Sequence, residues 1–82
     1  FGLSAALKNA ITLTTGRVDQ RNFDGYPTLR LGESPAIEVH TVPSTSPPTG
    51  VGEPAVPVIA PAVANALYAL TGTPVRRLPL DV

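Results

Sequence analysis

The run Ile59-Ala60-Pro61-Ala62-Val63-Ala64-Asn65-Ala66-Leu67-Tyr68-Ala69-Leu70-Thr71-Gly72 decides how this chain is built. Ile59, Val63, Leu67 and Leu70 recur at helical spacing, with Ala62 and Ala66 filling the stripe, so the spacing predicts a helix over 59–71. Pro61 suits only the first turn of such a helix, where a missing N–H deprives no carbonyl of a partner. Gly72 stands just past the last periodic position, where a left-handed C-terminal residue belongs.

Upstream of that helix lies a stretch rich in proline and glycine, residues 43–58. Proline fixes φ and biases its predecessor toward an extended form, so such a segment has few conformations to lose on ordering. Val51, Val56 and Val58 among the prolines make it a rigid, shaped loop rather than a linker. Before it, Ile37, Val39 and Val42 alternate with Glu38, His40 and Thr41, a strand over 37–42 whose pattern slips at Thr41-Val42. Residues 24–36 are irregular, with Tyr26 and Leu29 placed to pin them to the body.

Toward the amino end, β-branched residues flank Thr15-Gly16, which predicts a hairpin over 11–23. Leu3, Leu7 and Ile11 recur every four residues beside Ala6 and Ala10, which predicts a helix over 1–10. Ser4 falls inside that pattern, so the helix is expected to begin before Phe1. Downstream of Gly72, the tail over 73–82 reads as extended, and Pro79 keeps it out of a central strand. Together these elements predict an α+β fold, two helices against a small, mostly antiparallel sheet.

Composition closes off several functions. The 82 residues contain no Cys, so neither a disulfide nor a cysteine-held zinc or iron–sulfur site is possible. With one His, a self-contained transition-metal site is not expected. Six basic residues balance six acidic ones, and only Arg76-Arg77 are paired, which argues against a nucleic-acid footprint. No apolar run approaches membrane-spanning length, and the opening Phe1-Gly2-Leu3 lacks the basic region of a signal peptide. A chain this short builds a thin core. Ten prolines in so short a chain, about twice the usual frequency, and that thin core suggest a segment of something larger, or a domain that leans on a partner.

The chemically able residues are few. Ser44 and Ser46 follow His40 without a nucleophile's context, and Gly50-Val51-Gly52 lacks the spacing of a dinucleotide fingerprint. Glu53 stands out because it sits in the stiffest loop, after two glycines that let another body approach the backbone and before a proline that holds it extended. A carboxylate held this way suits a positioned general base. The plainer reading makes Glu53 a solvated turn residue, His40 a strand surface residue and Arg76-Arg77 a solvated face.

Gly50-Val51-Gly52-Glu53-Pro54, Ala60-Pro61-Ala62-Val63-Ala64-Asn65-Ala66, Thr71-Gly72 and Arg76-Arg77-Leu78-Pro79-Leu80 resemble the carboxyl end of a molybdenum hydroxylase. The likeness is to the molybdopterin-binding large subunit of the xanthine dehydrogenase/aldehyde oxidoreductase superfamily, of the isoquinoline 1-oxidoreductase, nicotinate dehydrogenase and aldehyde dehydrogenase type. Phe1-Gly2-Leu3-Ser4-Ala5-Ala6-Leu7, Asn22-Phe23, Tyr26-Pro27 and Ile37-Glu38-Val39-His40 extend it across the whole chain.

The resemblance implies that residues 1–82 are a carboxyl-terminal fragment of a molybdopterin-binding catalytic domain. It implies that Glu53 is the base that takes a proton as water-derived oxygen attacks an electron-poor carbon of an N-heterocycle or aldehyde. Gly50, Val51 and Gly52 would line the approach to the cofactor, and no residue here would ligate the metal. A free glutamate, with a pKa of about 4.3, is a weak base that burial would improve. The implied cofactors are molybdenum-molybdopterin, in its cytosine dinucleotide form, held by segments outside these residues, and a [2Fe-2S] cluster in a partner subunit. The implied partners are the rest of the large subunit, a small iron–sulfur subunit and, in some members, a cytochrome subunit. A cytoplasmic and a periplasmic bacterial setting both stay open. The competing functions are a non-catalytic structural or assembly module and a Pro-rich protein-interaction module.

Overall fold

A computed structural model describes residues 1–82. It contains helix α1 (Gly2–Leu7), strands β1 (Leu13–Thr14) and β2 (Arg17–Val18), a 3-10 turn at Leu31–Glu33 and helix α2 (Ala55–Thr71). The fold is α+β, with two helices and one small antiparallel sheet of two strands.

The two helices pack against each other, and Gly2 sets how closely. A Cβ on Gly2 would stand 3.0 Å from Ile59 Cγ1 and 3.4 Å from Val56 Cα, so its absence lets the start of α1 lie on α2. On α2 the half-buried residues are Ile59, Ala60, Val63, Ala64 and Leu67. That face is rotated from the expected stripe, because Ala62, Ala66 and Leu70 are exposed. The core proper consists of Ala6, Leu80 and the polar Ser4. Ser4 and Ala6 each tie a separate part of the chain to α1. The Leu29 N–H donates to Ser4 Oγ at 3.0 Å, anchoring the irregular segment 24–36. The Leu80 N–H donates to the Ala6 carbonyl at 2.7 Å, anchoring the tail.

Helix α1 ends at Leu7 and not at residue 10. Lys8 leaves the helix at φ −133°, and the N–H groups of Lys8 and Asn9 both close on the Ser4 carbonyl. Two longer-range contacts hold this exit. Lys8 pairs with Glu33, and the Asn9 amide donates to the Pro27 carbonyl at 2.8 Å.

The hairpin turns at Thr15-Gly16, with Leu13 opposite Val18 and Thr14 opposite Arg17. Its ladder is shorter than the expected 11–23. Asn22 and Asp24 each accept the N–H of the next residue on their own side chains, which draws the backbone into a turn in place of a strand. Thr15 has φ +49° and Gly16 φ +77°, the double left-handed turn that suits a two-residue hairpin. A β-branched residue is strained there. Thr15→Asn is therefore expected to stabilise the hairpin by about 1 kcal/mol. Amide exchange at Asp19, whose N–H donates to the Thr12 carbonyl at 2.9 Å across the hairpin, compared between the two proteins, measures it.

Residues 37–42 form no strand. They run as exposed, irregular chain, because no other segment of these residues offers them a pairing edge. Helix α2 begins at Ala55 and not at residue 59, which shortens the loop expected over 43–58. Pro54, at φ −60° and ψ −25°, is already set for the helix. Pro57 falls in the first turn, where its missing N–H is harmless. Pro61 is consequently interior and leaves the Pro57 carbonyl without its helical donor. Pro61→Ala is expected to raise stability by about 2 kcal/mol. Restoring an interior bond is worth about 3, less the unfolded-state entropy that proline removes, about 1. Far-UV circular dichroism through a urea titration reads the change. The helix closes where expected, at Gly72 with φ +73°, whose N–H bonds the Tyr68 carbonyl at 2.8 Å.

Candidate functional site

Glu53 lies two residues before the first turn of α2 and is exposed. Its carbonyl accepts the Val56 N–H at 3.1 Å, which fixes the backbone of the loop to the helix start. The first turn of α2 contains no acidic side chain and no side-chain cap. The carboxylate just ahead of it sits where the positive end of the helix dipole favours negative charge. Gly50, Val51 and Gly52 precede Glu53 on the surface. A Cβ placed on Gly50 or Gly52 meets nothing within 4 Å, so these residues give the glycines no steric reason to lack side chains.

Beside the start of α2 lies an apolar cleft of about 550 Å³, between Phe1 and Leu3 of the amino end, Pro35 and Ile37 of the middle segment, and Ala55 and Ile59 of α2. Leu29, placed by the sequence to pin the middle segment, does line this cleft. The cleft itself has no signal in the sequence, because it depends on the close approach at Gly2.

The other chemically able residues stay apart. Ser44 Oγ accepts the Ser46 N–H at 3.1 Å, a local turn bond with no base beside it. Glu38 and His40 approach each other to 3.5 Å in the open. No three His, Asp or Glu side chains gather closely enough to hold a metal ion. These residues therefore do not make a metal-binding site, and they do not fit the role of holding a metal cofactor on their own.

Two carboxylates are held below their ordinary range, and both are structural. The Thr12 hydroxyl, which donates to Asp19 Oδ2 at 2.6 Å, and then Thr14 lower Asp19. Gln20 braces the same corner, accepting the Thr12 N–H at 2.9 Å and donating to Thr12 Oγ1 at 3.0 Å. The Lys8 ammonium and then the Arg30 N–H lower Glu33. A carboxylate lowered in the folded state adds stability above its unfolded value, about pH 4. That stability is lost as pH falls through the lowered folded value. Acidification below about pH 4 is therefore expected to loosen the hairpin corner and the Lys8–Glu33 link. Thr12→Val should return the Asp19 carboxyl toward its ordinary range, read by carbon-detected NMR titration.

Three relatives match nearly the whole chain. It is 34% identical over 80 residues to a membrane-bound aldehyde dehydrogenase (pyrroloquinoline-quinone) of Gluconacetobacter polyoxogenes, covering 98% of this chain and 10% of that protein. It is 37% identical over 79 residues to the beta chain of the isoquinoline 1-oxidoreductase of Brevundimonas diminuta, covering 96% and 10%. It is 38% identical over 78 residues to one of the subunits of the nicotinate dehydrogenase of Pseudomonas putida, covering 94% and 7%. The chain thus spans a tenth or less of the length of these relatives. No protein-family model matches it, and no solved structure is a significant match.

Proposed function

We infer, for a chain related to the molybdopterin-binding/xanthine-oxidoreductase superfamily, that it supplies the glutamate-bearing loop of a larger molybdenum-dependent oxidoreductase. On this reading it forms part of the carboxyl end of the large subunit. The observation that carries the reading is the Gly50–Glu53 loop itself, an exposed carboxylate behind two glycines whose missing side chains nothing nearby requires. Glycines at such a place leave room for a body that the rest of the enzyme brings up against them.

The general surface agrees. The chain exposes 7329 Å², against about 4,700 Å² for a free-standing protein of its mass. Its radius of gyration is 16.2 Å, against about 12 Å for a compact chain of this length. Both excesses suit a segment that other parts of a protein cover.

In the assembled enzyme, Glu53 accepts the proton of an oxygen nucleophile as it attacks an electron-poor carbon. The names of the relatives suggest the carbon's class, an aldehyde carbon or a ring carbon of an N-heterocycle such as isoquinoline or nicotinate. Proton transfer needs the carboxylate within about 2.6–3.2 Å of its target. The segments that cover the loop exclude bulk water from around Glu53. The bond from that carbon to hydrogen breaks as the carbon–oxygen bond forms; the molybdenum-pterin cofactor, held by those other segments, would take up the electron pair, and an iron–sulfur subunit would carry the electrons away.

The test is to purify the protein containing this chain from its native source and measure its mass, metal and cofactor content. A polypeptide roughly ten times longer than this chain, carrying molybdenum at one per chain, is the expected result. A quinone in place of molybdenum overturns the metal assignment, and a free 82-residue chain with neither overturns the enzyme reading.

A further inference from the structure

We propose that residues 36–42 are a donated β-strand, completing a sheet with an extended strand from polypeptide outside these 82 residues. The inference rests on the reading above that the chain is part of a larger enzyme.

Backbone accounting points to it first. None of the backbone hydrogen bonds of the chain involves residues 35–45, so their donors and acceptors are all unpaired. These exposed groups have only water to bond within the 82 residues, and a run of backbone whose donors and acceptors are free is a template for another strand. The geometry of the side chains points the same way. Glu38 Oε2 and His40 Nε2 stand 3.5 Å apart, which puts residues two apart on one side of the chain, as a pleated strand does. By the same alternation, Ile37 and Val39 belong to the opposite side, and both are exposed. Apolar residues at alternate positions are the pattern of a strand with one buried face. The window has natural ends. Pro35 and Pro43, which lack N–H groups, bracket seven residues that can each donate, close to the usual length of a strand.

An extended peptide fits this edge by backbone hydrogen bonds, while its own alternate side chains cover Ile37 and Val39. The length of the relatives argues that the partner strand belongs to the same enzyme. They match this chain nearly end to end and are about ten or more times longer, so ample polypeptide exists beyond these residues to supply it.

Hydrogen–deuterium exchange by mass spectrometry, on the native protein and on the 82-residue chain alone, tests the proposal. In the native protein, at least alternate amides over 36–42 should exchange about a hundredfold more slowly than in the isolated chain. Free exchange over 36–42 in a native protein of the expected mass overturns the strand and leaves the enzyme reading standing. Protection that appears in the isolated chain and rises with its concentration overturns it in favour of pairing with a second copy. A native mass equal to that of the free chain removes the partner strand and the enzyme reading together, and the mass measurement shows this before any exchange is read.

Discussion

Glu53→Gln, made in the larger oxidoreductase proposed to contain this chain, is expected to lower turnover by about 10²–10⁴-fold while cofactor content stays unchanged. The substitution is clean for a structural reason. The Glu53 side chain makes no hydrogen bond and no ion pair within these residues, and only its backbone carbonyl has a fold contact. Glutamine keeps the shape and that carbonyl, so stability should move by no more than about 0.5 kcal/mol. What is lost is the ability to accept a proton. Glu53→Asp keeps a carboxylate but withdraws it by one methylene, so it should retain measurable turnover at a reduced level. Full activity in Glu53→Gln would place the base elsewhere and favour the structural or interaction readings of this segment. Loss of the cofactor with the activity would make Glu53 a structural residue.

How far the residues announce this arrangement depends on the range of the forces involved. Gly72 at the end of α2, the turn at Thr15-Gly16 and the helical spacing after Ile59 are local. Backbone preferences and the neighbouring few side chains decide them, so they can be read from the chain. The start of α2 is harder to place because Pro61 resembles a first-turn residue, whereas Pro54 and Pro57 set the helix going one turn earlier. The early end of α1 is hidden because Glu33 and Pro27, far along the chain, hold Lys8 and Asn9. The strand pattern over 37–42 is legible as a pattern, but a strand needs an edge to pair with, and these residues offer none. Glu53 is legible from its glycines and proline. Its chemistry is not, because a base is made by what surrounds it, and within these residues the Glu53 side chain stands exposed with nothing around it.

The same shortage of internal contacts makes Leu80 decisive for the fold. Leu80 is 4% exposed and is the one large side chain in the core, where its only buried companions are Ala6 and Ser4. It closes the chain by lying against α1, with its own N–H on the Ala6 carbonyl. Leu80→Ala should cost about 2–3 kcal/mol, from the lost transfer of its methyl and methylene groups and the space they leave. The low end of the usual range applies because a core this thin can partly collapse into the gap. The backbone bond survives the substitution, so the loss measures side-chain packing alone. Leu70→Ala is the control. Leu70 is 83% exposed on the same helix-and-tail unit, and its truncation should move stability by no more than about 0.5 kcal/mol. Urea titrations of the isolated chain, followed by circular dichroism, compare the two. A loss of this size is a large share of the whole stability of a small domain, about 5 kcal/mol at the low end. Leu80→Ala should therefore stay folded without denaturant but lose its helix at about half the urea concentration that unfolds the unchanged chain. Equal behaviour of the two variants would mean that the tail does not hold α1 in solution through the Leu80 side chain.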